Sequence, residues 1–177
     1  QTEKYLPPAK GQRHVLRILR EILFHQNKSK GTNLNAGLRF INHVLRRRAV
    51  IFFLSDFIIT QSKEVEESAE DLFYKEISST KKKHDLVCAQ IFDPCERIIP
   101  DCGLTLLEDL ENGEELLVNF SNDSFREQFT QIIEDFQVKL NQRMRRRGID
   151  TFSFSTQSDY VKSLKDFFRM RQNRRSR

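Results

Sequence analysis

"RRRAVIFFLSDFI", residues 46–58, decides how this 177-residue chain folds. Three arginines lead into residues 49–54, an unbroken apolar run that stops at Ser55-Asp56. An amphipathic helix spaces its apolar residues three and four apart, and a strand with one wet face alternates them. An unbroken run bounded this way predicts a strand covered on both faces, as in a parallel sheet flanked by helices. It is the segment expected at the centre of the sheet. Ligands of such sheets bind beyond the carboxyl ends of the strands, so the acid that ends this run is the first candidate functional residue.

Working outward, Val15, Ile18, Leu19, Ile22 and Leu23 predict a helix over 12–26 with one buried stripe. Leu34, Leu38, Ile41 and Leu45 predict a second, with Thr32 or Asn33 as its cap. Val65, Ala69, Leu72, Phe73 and Ile77 mark a third, closed by Lys81, Lys82 and Lys83. "HDLVCAQIFD", residues 84–93, reads as a second strand stopped by Asp93-Pro94, because proline has no ladder donor. Residues 104–107 and 115–120 form an antiparallel pair around the turn signal Asn112-Gly113.

Ser121 or Asn122 then caps a long helix with Phe125, Phe129, Ile132, Ile133, Phe136 and Leu140 inward, stopped at Gly148. Residues 149–154 make the last strand. Ser158 caps a closing helix with Tyr160, Val161, Leu164, Phe167 and Phe168 inward, and residues 169–177 trail off as a basic tail. Helices alternating with apolar strands define an α/β fold: three layers, a mostly parallel sheet with flanking helices, and an added antiparallel hairpin. No repeat or linker divides the chain, so residues 1–177 read as a single domain.

The net charge of +5 is concentrated at one end: from Lys139 onward there are 12 Lys or Arg against 3 Asp or Glu, and the rest carries 18 against 22. Arg143, Arg145, Arg146 and Arg147 complement a helix dipole near Gly148, and no base-reading motif or interleaved aromatic accompanies them, which argues against nucleic acid. Cys88, Cys95 and Cys102 form no Cys-x-x-Cys pair, and His14, His25, His43 and His84 show no ligand spacing. Cys88 is expected to pack as a small apolar residue. No apolar run approaches the roughly 20 residues that span a bilayer; a cytoplasmic setting is expected.

Thr32 opens the helix that leads into the 49–54 strand, so its hydroxyl and the Asp56 carboxylate are expected near each other, two hard oxygen donors of the kind magnesium takes. Asp93 ends the second strand, although turn chemistry explains it, and Asp101 beside Pro100, without catalysis.

"PPAKGQRHVLRILREIL", "KGTNLNAGL", "RRRAVIFFLSDF", "FDPCERIIPDCGL", "LEDLENGEELLV" and "STQSDYVKSLKDFF", in that order, resemble the bacterial family called domain of unknown function 58. These are von Willebrand factor A-like proteins, Rossmann-like in fold and often encoded beside MoxR-type AAA ATPases. The resemblance implies a metal-ion-dependent adhesion site with Thr32 as its threonine and Asp56 as its aspartate. The family's Asp-x-Ser-x-Ser loop occurs nowhere in residues 1–177, and is expected upstream of Gln1. The domain is therefore expected to be incomplete at its N-terminus, with no cofactor held by this chain and magnesium expected only with that loop present.

Two functional expectations follow. The first is a non-enzymatic protein-interaction module that meets a partner through Ser55, Asp56, Phe57 and Asp93, with a MoxR-type ATPase as the candidate, and that forms a homodimer through the bare edge of residues 49–54. The alternative is a magnesium-dependent nuclease or phosphotransfer enzyme using Asp56 and Asp93, with Asp101 as a further acid.

Overall fold

The computed structural model describes residues 4–25, 33–59, 69–109 and 113–175. Helices α1 (Gln12–Phe24) and α2 (Leu34–Val44) precede strand β1 (Val50–Ser55). Helix α3 (Ala69–Lys83) crosses over to β2 (Asp85–Phe92), which a 3-10 turn at Pro94–Glu96 ends. Strands β3 (Leu104–Glu108) and β4 (Glu115–Asn119), helix α4 (Asp123–Arg146), strand β5 (Asp150–Ser155) and helix α5 (Tyr160–Arg175) complete the chain. The main sheet is parallel in the order β1-β2-β5, while β3 and β4 pair antiparallel as a separate hairpin. Parallel neighbours need long crossovers, and α3 and α4 supply them.

In register, Phe53 lies opposite Cys88 and Cys88 opposite Thr151, so odd residues of β1 share a face with even residues of β2. That face packs on α2, α3 and α4, where Leu38, Phe73, Ile77, Leu86, Cys88 and Met144 form a closed core. The other face meets α5, whose Phe167 ring stacks 4.6 Å from Phe152. Asn33 caps α2 by accepting from the Ala36 amide, and Asn122 caps α4 through Phe125 N–H. No helix among the described residues is long and apolar enough to cross a membrane.

Several expectations are corrected. The central strand is β2, not the 49–54 run: among the described residues β1 pairs only with β2, and Val50, Phe52 and Leu54 are exposed because α5 reaches only part of their face. An unbroken apolar run says both faces of a strand can be buried, not that this chain covers them. Helix α1 forms, but Val15, Leu19, Ile22 and Leu23 stay exposed; periodicity marks an apolar side without providing a surface to receive it. The inward set of α4 is displaced toward its C-terminal half, with Leu140 and Met144 buried and Phe125 and Ile132 exposed.

Residues 159–175 differ most from the reading. Asp159, not Ser158, caps α5 by accepting from Val161 and Lys162 N–H, while Ser158 closes a turn with Ser155. Phe167 is buried, but Tyr160, Val161 and Phe168 are exposed. The segment expected as a loose tail continues α5 to Arg175, because Arg171 pairs with Asp85 at 2.6 Å and Asp150 at 3.0 Å and pins the helix across the strand starts. Val65 and Asn112 lie outside the described residues.

Candidate functional site

Strand β1 ends in a turn fixed by its own side chains. Ser55 Oγ accepts from Phe57 N–H at 3.0 Å and donates to Asp56 Oδ1 at 3.1 Å, and Ile58 N–H donates to the same carboxylate oxygen at 3.1 Å. From β2, Gln90 Nε2 donates to the Asp56 carbonyl at 3.2 Å. Phe57 sits at φ 61, the left-handed region that bulky residues avoid. Its ring repays that strain by entering the core, 2 % exposed, beside Phe53 and Phe73. With the ring turned inward, the Asp56 carboxylate stays exposed at the rim.

Asp56 lines a cavity of about 210 Å³ together with Ile58, Phe92, Arg97, Ile132 and Phe136, between the carboxyl ends of β1 and β2 and the middle of α4. The Arg97 guanidinium lies 3.2 Å above the Phe92 ring centre, an attraction strengthened by partial burial. Burial also lowers its pKa from the ordinary arginine value, with Glu96 opposing. Arg97 Nε is enclosed without an acceptor, and among the described residues no carboxylate pairs with this side chain.

The other sequence candidates are turned elsewhere. Asp93 caps the 3-10 turn by accepting from Cys95 N–H at 2.9 Å, receives the Thr156 hydroxyl at 2.6 Å, and is matched by Glu96 accepting from Asp93 N–H. The Thr156 and Cys95 bonds hold its pKa below the ordinary carboxylate value. Asp101 accepts from Ser121 Oγ at 2.8 Å and Gly103 N–H. Ser55 serves the turn, and the buried Phe57 offers no surface to a partner. Of the four residues expected at a partner surface, Asp56 alone has its side chain on the rim cavity.

Thr32 lies outside the described residues. Among the described residues no group of three or more His, Cys, Asp or Glu side chains could hold a metal ion. One carboxylate that already accepts two hydrogen bonds does not fit a divalent ion needing several hard oxygens. Asp56 lines the rim cavity, whereas Asp93 is not among its lining and accepts from Thr156 and Cys95 N–H. Of the arginines at the end of α4, Arg143 pairs with Glu70, and Arg143 and Arg147 lie over the Tyr74 ring.

Sequence reasoning missed Arg97, Ile58 and Ile132 as neighbours of Asp56. "DPCER" reads as turn chemistry, and only the fold carries the fifth residue of that turn onto the face of α4.

The chain is thus a layered α/β body with an acid exposed at the carboxyl rim of its parallel sheet. The model of the family described as protein of unknown function DUF58 matches residues 1–139, and the chain belongs to that family. Strand β5 and helix α5 lie beyond the matched stretch. No curated protein and no solved structure matches the chain.

Proposed function

We propose that this chain is a non-enzymatic protein-interaction module of the von Willebrand factor A type, working in a cytosolic setting with a MoxR-type AAA ATPase as its partner. The observation that carries the reading is the turn after β1. A strained Phe57 and three hydrogen bonds on Ser55 and Asp56 hold one acid outward on the rim, beside exposed Ile58 and Ile132. Rigid presentation of a charge beside open apolar side chains suits recognition, because little entropy remains to be lost on binding. It does less for catalysis, which needs further groups converging on one reacting atom.

The test is surface plasmon resonance between this chain and a purified MoxR-type AAA ATPase. Saturable binding is expected, weakened at least about ten-fold by Asp56→Lys and unchanged by Lys82→Glu, which lies in the last turn of α3 at the opposite pole of the sheet. Absence of binding, or an Asp56→Lys variant that binds like the parent, overturns it.

A further inference from the structure

Three runs of cations that lie far apart in the sequence are gathered at one pole by the parallel topology. Residues 46–48, all arginine and all exposed, lead into the start of β1; exposed Lys82 and Lys83 lead into β2, and exposed Arg145 and Arg146 into β5. Because β1, β2 and β5 run the same way in that order, neighbouring strands about 4.8 Å apart bring these starts side by side. The end of α5 joins them, since Arg171 reaches both Asp85 and Asp150, and Arg174 reaches Asp150.

The helix dipole accounts for only part of this charge. The ends of α2, α3 and α4 carry roughly −0.5 each, whereas seven exposed cations stand in the three runs. Asp85 and Asp150, the acids at the strand starts, are taken by Arg171 and Arg174, and among the described residues no carboxylate pairs with any of the seven. So dense a cluster fits a polyanion. No aromatic is interleaved in these runs to stack on bases. Val50, 58 % exposed beside the arginines, is an apolar side chain that a lipid headgroup layer receives and a phosphate backbone does not.

We propose that this pole, where the strands of the main sheet start, docks on an anionic membrane surface through the lipid phosphates. A cluster of this size binds such a surface by summed attraction, with no spanning segment. The inference goes beyond the interaction reading above: Asp56 sits at the carboxyl end of β1, so the rim points away from the bilayer and stays open to a partner. The test is co-sedimentation with mixed phosphatidylglycerol–phosphatidylcholine vesicles, with pure phosphatidylcholine, duplex DNA and inorganic phosphate as comparators. Saturable binding to the mixed vesicles is expected, lost as sodium chloride rises from about 0.1 M to about 1 M and the screening length falls from about 10 Å to about 3 Å. Each cation removed should weaken it about five-fold, so Arg47→Gln with Arg48→Gln, and separately Arg145→Gln with Arg146→Gln, should each weaken it about twenty-five-fold. Arg13→Gln with Arg17→Gln removes the same charge from α1 and should leave the affinity within about two-fold of the parent. Duplex DNA at equal phosphate concentration should leave most of the chain on the vesicles.

Equal binding to pure phosphatidylcholine overturns the proposal without any variant. So does transfer of the chain to DNA, the mark of a nucleic-acid surface, or displacement by inorganic phosphate at matched ionic strength, the mark of a single-anion site. Loss of binding in the α1 pair, or pole variants that bind like the parent, puts the contact elsewhere and overturns it too. Lys82→Glu should weaken vesicle binding while leaving ATPase binding unchanged, so failure of this inference and failure of the interaction reading are told apart.

Discussion

Phe57 is where backbone and core pull against each other. A non-glycine residue in the left-handed region costs roughly 1–2 kcal/mol, whereas deleting a buried Phe ring costs about 3–5 kcal/mol, so the ring wins and the strain persists. Both Phe57→Ala and Phe57→Gly should therefore destabilise the chain, and the glycine variant should be the more stable of the two by about 1 kcal/mol in urea denaturation, because glycine alone is relaxed there. Alanine equal to or better than glycine would show that the turn is unstrained. Asp93 titrates low because its carboxylate accepts from Thr156 and Cys95. A depressed acid stabilises the fold above its ordinary value near 3.8 and loses that contribution as pH falls through the folded value. A carboxyl NMR titration should place its midpoint below 3.8, and Thr156→Ala should move it back toward that figure. Burial pushes the Cys88 thiol up to about 12, so iodoacetamide near neutral pH should label Cys95 and Cys102 and spare Cys88 until the chain unfolds.

At the scale of elements, α5 shows how a few contacts settle a segment whose composition suggests a loose end. Arg171 is 14 % exposed and bridges Asp85 at the start of β2 to Asp150 at the start of β5, joining helix and sheet at one corner. Removing the cation takes the shared partner from two largely buried carboxylates, 15 % and 18 % exposed, and leaves Asp150 with the exposed Arg174 at 3.0 Å. Arg171→Met should cost about 3 kcal/mol in denaturant unfolding, as breaking one side of a largely buried pair does. The same change at Arg169, whose side chain is mostly exposed and 3.8 Å from Asp166, should cost less than about 1 kcal/mol. Equal effects would place the anchor of α5 in Phe167 alone.

Across the described residues, large apolar side chains stay exposed on α1, on β1 and on the β3-β4 hairpin. Beside Phe52, Leu54, Phe154 and Phe168 the uncovered sheet face leaves a groove of about 380 Å³, and β1 has one edge without a partner strand among the described residues. Open edges and open apolar faces both favour association. Light scattering after size exclusion should give a dimer at micromolar concentration, and Leu54→Lys, which puts a charge on that face next to the free edge, should shift it toward monomer. A parent chain that is monomeric throughout would show that the edge is blunted by its own geometry.

How much was legible in the sequence follows from the range of each force. Strand and helix identities, the hairpin, the parallel α/β class and the position of Asp56 were set locally, by apolar spacing, caps and the polar stop after an apolar run, and they stand close to where the residues put them. Which face of β1 is covered, whether α1 finds a surface, and which acids share a cavity depend on elements far apart in the chain. Asp56 and Arg97 are 41 positions apart and meet through the parallel register of β1 on β2. Composition determined which side chains prefer to leave water; only tertiary packing decided which of them do, because burial requires a second surface and a periodic pattern specifies just one.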